Sequence, residues 1–304
     1  MKIPETGQTE QTAAAPRRDP LRVGLQVLLY TGIGLGGAQI VGPMLLWLGG
    51  PMVGATGSDL ICALFANWLA LRIFAPIRLA DLGLRWHRAS ADNLAMGLIG
   101  GIGAGALVLV LPLITGAAHF AATPAEQPSW DTILFVGVLL AAGSSGEEIF
   151  FRGFGFQVLL ANFGAWATIV PVGIVFALLH GSNPNVTWMG IANTAGFGIL
   201  FGYAFLRSRD LWLPIGLHFG WNFTLPLFGA NVSGLRIHVT GHELAWTAGR
   251  LWSGGAYGPE ASILASAAIL VLFAYLWKAP VRRQPSSLTD KAASDQPPGR
   301  SIQA

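Results

Sequence analysis

Eight stretches of this chain are apolar over most of their length, at about 24–49, 57–75, 93–116, 131–162, 165–180, 188–206, 211–228 and 261–278. About 20 apolar residues in a helix cross the hydrocarbon of a bilayer. A backbone in lipid must satisfy its own hydrogen bonds, which a helix does within one segment. The pattern predicts an all-α, polytopic helical membrane protein with about eight transmembrane helices. Of the 304 residues, 53% are hydrophobic and 11% charged, whereas a soluble domain carries about 25% charged residues. An ordinary cytosolic enzyme and a largely disordered chain are both excluded. A single cysteine, Cys62, excludes a disulfide framework and a cysteine-based zinc site.

Cations sort the connections. With the N-terminus inside, the inner segments hold Arg17, Arg18 and Arg22, then Arg78, Arg85 and Arg88, then Arg207 and Arg209, then Lys278, Arg282 and Arg283. The outer loops at 50–56, 117–130 and 181–187 hold none, and only Arg236 and Arg250 break the bias. Cytoplasmic loops are enriched in Lys and Arg, so both termini are expected in the cytoplasm. The net charge of +3 fits basic loops against a lipid bilayer, and no nucleic-acid partner is expected. Residues 1–20 and 281–304 are polar and proline-containing and are expected to be disordered cytoplasmic tails. No secretory-signal pattern stands at the start. Residues 21–130 read as N-terminal transmembrane helices, 229–260 as an outer loop and 261–280 as the last transmembrane helix. Gly97, Gly101 and Gly105, and Gly198 and Gly202, have the spacing that lets membrane helices approach closely. Gly32, Gly34, Gly36 and Gly37 read the same way, since no strand precedes them as a dinucleotide loop requires.

Ionisable residues inside apolar helices are costly and mark function. The fourth span contains Glu147-Glu148-Ile149-Phe150-Phe151-Arg152. Glu148 and Arg152 are spaced i,i+4 in the favourable order for a helical ion pair. Glu147 points about 100° away around the helix and lacks that partner, which leaves it free to act as a base. The alternative is a structural clamp between helices. Phe176 and His180 share one helix face in the fifth span, as do His218 and Asn222 in the seventh. Asn162-Phe163-Gly164 looks like a helix–helix turn, with Glu147 16 residues before Phe163 and His180 17 after it. Antiparallel helical arms would bring the two level, roughly 25 Å from the turn, with the long fourth helix protruding past Arg152. His218 would lie roughly 10 Å inside the same face, so the cluster is expected in the cytoplasmic half.

Glu147-Glu148-x-x-x-Arg152, Phe176-x-x-x-His180 and His218-x-x-x-Asn222, in this order, resemble the motifs of the CPBP intramembrane proteases. These include the type II CAAX prenyl endopeptidases and the bacteriocin-processing or self-immunity (ABI) proteins. The resemblance covers about 131–228 and implies a catalytic core there that hydrolyses a peptide bond. It implies Glu147 and His180 as activators of water, Glu147 as the base, and His218 and Asn222 as oxyanion donors. Glu148, Arg152 and Phe176 would support the site. The implied partner is a membrane-associated peptide or protein, lipidated or not, and the implied location is a bacterial plasma membrane. Metal dependence stays open: Glu147, His180 and His218 are zinc-capable types, while Asn222 suits a metal-free mechanism. Two other functions stay open, a proton- or ion-coupled transporter and a non-catalytic self-immunity protein. Ser144 and Ser145 read as packing residues. His87 and His119 read as interfacial, and His238, His242 and Glu243 as part of the outer loop without a zinc motif.

Overall fold

The computed structural model describes residues 19–123, 129–237 and 239–294. Most of the expected first tail, residues 295–304 and His238 lie outside them. The elements are α1 (Pro20–Phe74), α2 (Arg88–Thr115), β1 (Ala118–Ala122), α3 (Trp130–Arg152), α4 (Phe154–Phe163), α5 (Ala165–Leu179) and α6 (Trp188–Ser208). Then follow α7 (Trp212–Leu227), β2 (His242–Trp246), α8 (Arg250–Ser253), α9 (Ile263–Lys278) and α10 (Ser287–Ser294). Among the described residues five helices are long and apolar enough to cross a membrane, not eight. The difference has two causes. α1 carries two expected spans as one element, and α7 and α9 have only 16 residues each.

α1 doubles back at Gly50, whose φ of +83° suits a residue without a Cβ. Its arms lie antiparallel, so that a Cβ on Gly37 would meet Cys62 Sγ at 3.3 Å and one on Gly54 would meet Leu46 Cβ at 3.0 Å. The second arm runs along α3, where Gly146 allows the backbone of Asp59 to within 2.6 Å of where its Cβ would be. α2 and α7 run side by side. Gly97 and Gly101 sit directly on the carbonyls of Leu213 and Leu217, and Gly216 of α7 would place a Cβ 2.6 Å from Leu94 O. Gly198 of α6 packs against Gly173 of α5 in the same way. Lipid supplies no hydrophobic drive between helices, so such backbone proximity carries the association.

The expected protruding fourth helix is broken. α3 ends at Arg152, Gly153 adopts a non-helical ψ of −141°, and α4 starts afresh. Asn67 of α1, fully buried, satisfies the groups freed by the break. Its Oδ1 accepts from Phe154 N at 2.7 Å, and its Nδ2 donates to Ile149 O at 3.0 Å. Tyr30 O–H donates to Phe150 O at 2.6 Å. Gly164, with φ +88°, turns the chain from α4 into α5, at the place expected from Asn162-Phe163-Gly164.

Three further expectations are corrected. The fold is not purely α, because β1 pairs antiparallel with β2, Ala118 opposite Trp246 and Ala122 opposite His242. The 229–260 segment is not simply a solvated loop: Val232, Ile237, Leu244 and Tyr257 are buried, and Glu260 is 7% exposed. Residues 281–294, expected as a disordered tail, are docked. Arg282 N donates to Asn93 Oδ1 at 2.9 Å, Gln284 N donates to Ser208 O at 2.7 Å, and Leu288 packs against the α1–α4 cluster. Polar composition hid this docking because it runs through backbone groups that any residue supplies.

Two predictions follow from the packing. Gly103 of α2 has nothing within 4 Å of a built Cβ, whereas Gly101 is pressed on α7. Gly101→Leu lowers the thermal midpoint of the detergent-purified protein by an amount equivalent to about 1–3 kcal/mol or more, and Gly103→Leu leaves it near wild type. Asp210, in the α6–α7 junction, is pushed up to about 6 by burial, against hydrogen bonds from Asn93 and the Leu213 amide. Between about pH 4 and 6 the folded state therefore holds a proton that the unfolded state releases, so stability falls as pH rises through that window. The total loss is up to about 3 kcal/mol. It is absent in Asp210→Asn, as unfolding midpoints from pH 4 to 7 will show.

Candidate active site

Arg152 organises the polar centre. Its guanidinium and the Glu148 carboxylate are both 0% exposed and pair at 3.1 Å. Nη2 donates to Gly198 O at 2.6 Å. The rings of Phe151, Phe176 and Phe201 surround Cζ at 5.2–5.8 Å, an arrangement in which aromatic faces attract a cation. Phe176, expected as a supporting residue, thus shields the guanidinium. The helix spacing that forms this pair turns Glu147 away from it, into a cavity of about 650 Å³.

Three side chains converge there. His180, capping α5, donates Nδ1–H to the Phe176 carbonyl at 2.8 Å. A carbonyl only accepts, so the ring Nε2 is left facing Glu147 Oε2, 3.8 Å away. His218, six residues into α7, places Nδ1 2.9 Å from Glu148 Oε1 and Nε2 4.0 Å from the same Glu147 Oε2. Its ring stacks on Phe201 with centroids 4.8 Å apart. Glu147 Oε2 is buried and has no hydrogen-bond partner. Separations of 3.8 and 4.0 Å are too long for direct hydrogen bonds. Asn222, one turn beyond His218, lines the same cavity. The seven residues singled out from the motifs therefore lie in one cluster on α3, α5 and α7.

The zinc alternative meets a geometric obstacle. Ligand atoms on a tetrahedral zinc with bonds of about 2.0–2.1 Å lie roughly 3.4 Å apart, closer than the two Nε2–Oε2 distances here. Among the described residues no group of three His, Cys, Asp or Glu side chains is arranged to hold a metal ion. The residues as placed do not fit that role.

Phe150, Phe151 and Phe176 line the cavity, with Tyr30 stacked on Phe150 and the Arg152 guanidinium against Phe151 and Phe176. From Glu147 the cavity runs past Asp59, Thr56 and Met52 toward the Gly50 turn, and to Ser233, Leu235 and Arg236 of the 229–261 segment. It is bounded by none of the arginine-rich connections. Glu260 fixes this segment over the site. Its Oε1 accepts from Trp221 Nε1 at 3.2 Å, its Oε2 accepts from Ser233 N, and its backbone carbonyl accepts from Asn193 at 2.8 Å. Burial pushes the Glu260 carboxyl up, opposed by the hydrogen bonds from Ser233 and Trp221. The motifs did not reveal Asp59, Asn67 or Glu260. Asp59 and Asn67 carry the signal that was applied to Glu147, a strongly polar group inside an apolar span. Glu260 lies in a segment with no such contrast.

Residues 128–224 match the family described as type II CAAX prenyl endopeptidase Rce1-like. The matched segment contains all seven motif residues and about a third of the chain. The chain is also similar to the uncharacterized protein YyaK of Bacillus subtilis (strain 168), at 26% identity over 178 residues. That similarity covers 53% of this chain and 56% of the relative, so the chain spans about half the length of the curated protein it matches. The matched family and the apolar helices together make this an integral membrane protein.

Removing one member of a buried ion pair costs about 3–5 kcal/mol, because the other charge stays behind unpaired. Arg152→Ala is expected to destabilise by that amount in detergent unfolding. Arg152→Lys recovers only part of it, since an ammonium cannot reach Glu148 and Gly198 O in the fixed fork of a guanidinium.

Proposed function

We propose that this chain is an intramembrane endopeptidase that hydrolyses a peptide bond of a membrane-associated peptide or protein by water bound between Glu147, His180 and His218. The observation that carries the reading is the unpartnered Glu147 Oε2 facing two imidazole Nε2 atoms at 3.8 and 4.0 Å at the wall of a cavity between the helices. The match of 128–224 to a CAAX endopeptidase family supports it.

Glu147 takes one proton from the water as its oxygen attacks the carbonyl carbon. His180 Nε2 accepts the water's other O–H, which aims the lone pair at the carbonyl carbon, with the ring fixed by the Phe176 carbonyl. The new oxyanion accepts from Asn222 Nδ2–H and from His218. The His218 Nδ1–H is held by Glu148, so a ring protonated on both nitrogens presents Nε2–H to the oxyanion. The C–N bond then breaks, and the leaving nitrogen takes the proton held by Glu147. Preorganised donors aimed at the oxyanion are worth about 2.7–4 kcal/mol each in acyl transfer. With the arginine-rich end in the cytoplasm, substrate reaches Glu147 from the arginine-poor side or laterally, past Leu35 and Leu179, both exposed on the bundle wall.

The test is peptide profiling of membranes from a deletion strain complemented with wild type or variants. Glu147→Gln and His180→Ala abolish the cleavage products that wild type restores, and purified Asn222→Ala retains cleavage with kcat lowered about 10²–10³-fold. Wild-type cleavage by Glu147→Gln would overturn the proposal. Charge-dependent flux in liposomes without cleavage would support a transporter instead.

A further inference from the structure

The reacting groups occupy one end of the cavity, and a second carboxylate stands beside them without a task in the chemistry above. Asp59 lies on the second arm of α1, level with Gly146, where the two helix backbones touch, and it lines the same cavity as Glu147. Among the described residues no donor or cation acts on it, and its charged neighbour is Glu147. On the adjoining helix α3 Ser144, one turn before Glu147 and Glu148, lines the same cavity and is 2% exposed, and its Oγ has no hydrogen-bond partner. A buried hydroxyl without a partner is costly, and so is a carboxylate facing another carboxylate in an apolar wall. Arg236, the arginine at the cavity wall, is engaged by Glu243 outside it. Apart from the donors assigned to the oxyanion, the walls thus carry two oxygen groups without partners, which suit a positively charged, hydrogen-donating group.

We propose that Asp59 and Ser144 form a binding subsite for a cationic side chain of the substrate, a lysine ammonium or an arginine guanidinium, adjacent to the scissile bond. This rests on the hydrolase reading and adds a substrate class to it: peptides with a basic residue at one position flanking the cut. Asp59 accepts the charge-assisted hydrogen bond and Ser144 Oγ accepts a second N–H, while Glu147 keeps its place beside the water.

The full chain in liposomes is tested on a fluorogenic peptide library in which each position near the cut carries Lys, Arg, norleucine, Gln or Glu. Wild type is expected to favour Lys or Arg over norleucine at one position by at least about tenfold in kcat/KM. The ratio falls to near one in Asp59→Asn, falls partly in Ser144→Ala, and inverts toward Glu in Asp59→Lys. An unchanged ratio in a folded Asp59→Asn overturns the subsite, as does a wild type without a basic preference. A pH profile that shifts in Asp59→Asn while the ratio stays constant also overturns it, since Asp59 would then merely share a proton with Glu147. Equilibrium binding of the Lys and norleucine forms of one labelled peptide separates this proposal from the hydrolase reading. If nothing is cleaved but the Lys form binds more tightly through Asp59, the hydrolase reading falls and the subsite stands. Equal binding of the two forms overturns the subsite.

Discussion

The polar interior depends on the buried pairing of Glu148 with Arg152. Neither group is exposed, and the carboxylate uses one oxygen for both Arg152 and His218. A guanidinium buried this deeply persists only with its charge matched and most of its donors occupied. Here a carboxylate takes Nη1, a helix carbonyl takes Nη2 and three aromatic faces surround the group, while Nε has no hydrogen-bond partner. This commitment differentiates two chemically identical neighbours. Glu148 is spent on structure, and Glu147, one step around the helix, has nothing to bind within the protein. Helix geometry alone assigns a paired and an unpartnered carboxylate to consecutive positions.

Close contact of helices makes such a centre affordable in an apolar chain. Where Gly101 meets Leu217 O, or Gly146 meets Asp59, side chains have been removed so that backbones touch. The rods then come near enough for His180, His218 and Glu147 to share one small space. The broken end of α3 shows the complementary device. Backbone groups released at Gly153 are taken up by Asn67 and Tyr30, polar residues of another helix. The break at Gly153 thus has side chains of another helix beside it, as a low-dielectric surrounding demands.

Much of this was legible in the residues. Each apolar stretch became helix, and Gly164 turned the chain where Asn162-Phe163-Gly164 suggested. The i,i+4 spacing placed Glu148 with Arg152, and the expected approach of His180 and His218 to Glu147 is found at 3.8 and 4.0 Å. What escaped was whatever depends on partners distant in sequence. The break after Arg152 is invisible locally, because Gly153 in an apolar run looks like any packing glycine until Asn67 arrives. The docking of 281–294 and the pairing of β1 with β2 rest on backbone hydrogen bonds, which leave little mark on composition. Asp59 was overlooked because it stands alone, whereas the motif residues come in pairs with helical spacing.

The tie between Tyr30, Asn67 and the last turn of α3 limits how this protein can open. Both arms of α1 are fastened to the carbonyls of Ile149 and Phe150, immediately after the two glutamates. Swinging that hairpin outward to widen the lateral gap would drag the turn bearing Glu147 along and spoil its alignment with the imidazoles. The wall formed by 232–237 is held by other groups: Glu260 at Ser233, the Tyr257 carbonyl at Gly234, Glu243 at Arg236, and the burial of Val232 and Ile237. The hairpin of α1 and the end of α3 therefore behave as one rigid frame around Glu147.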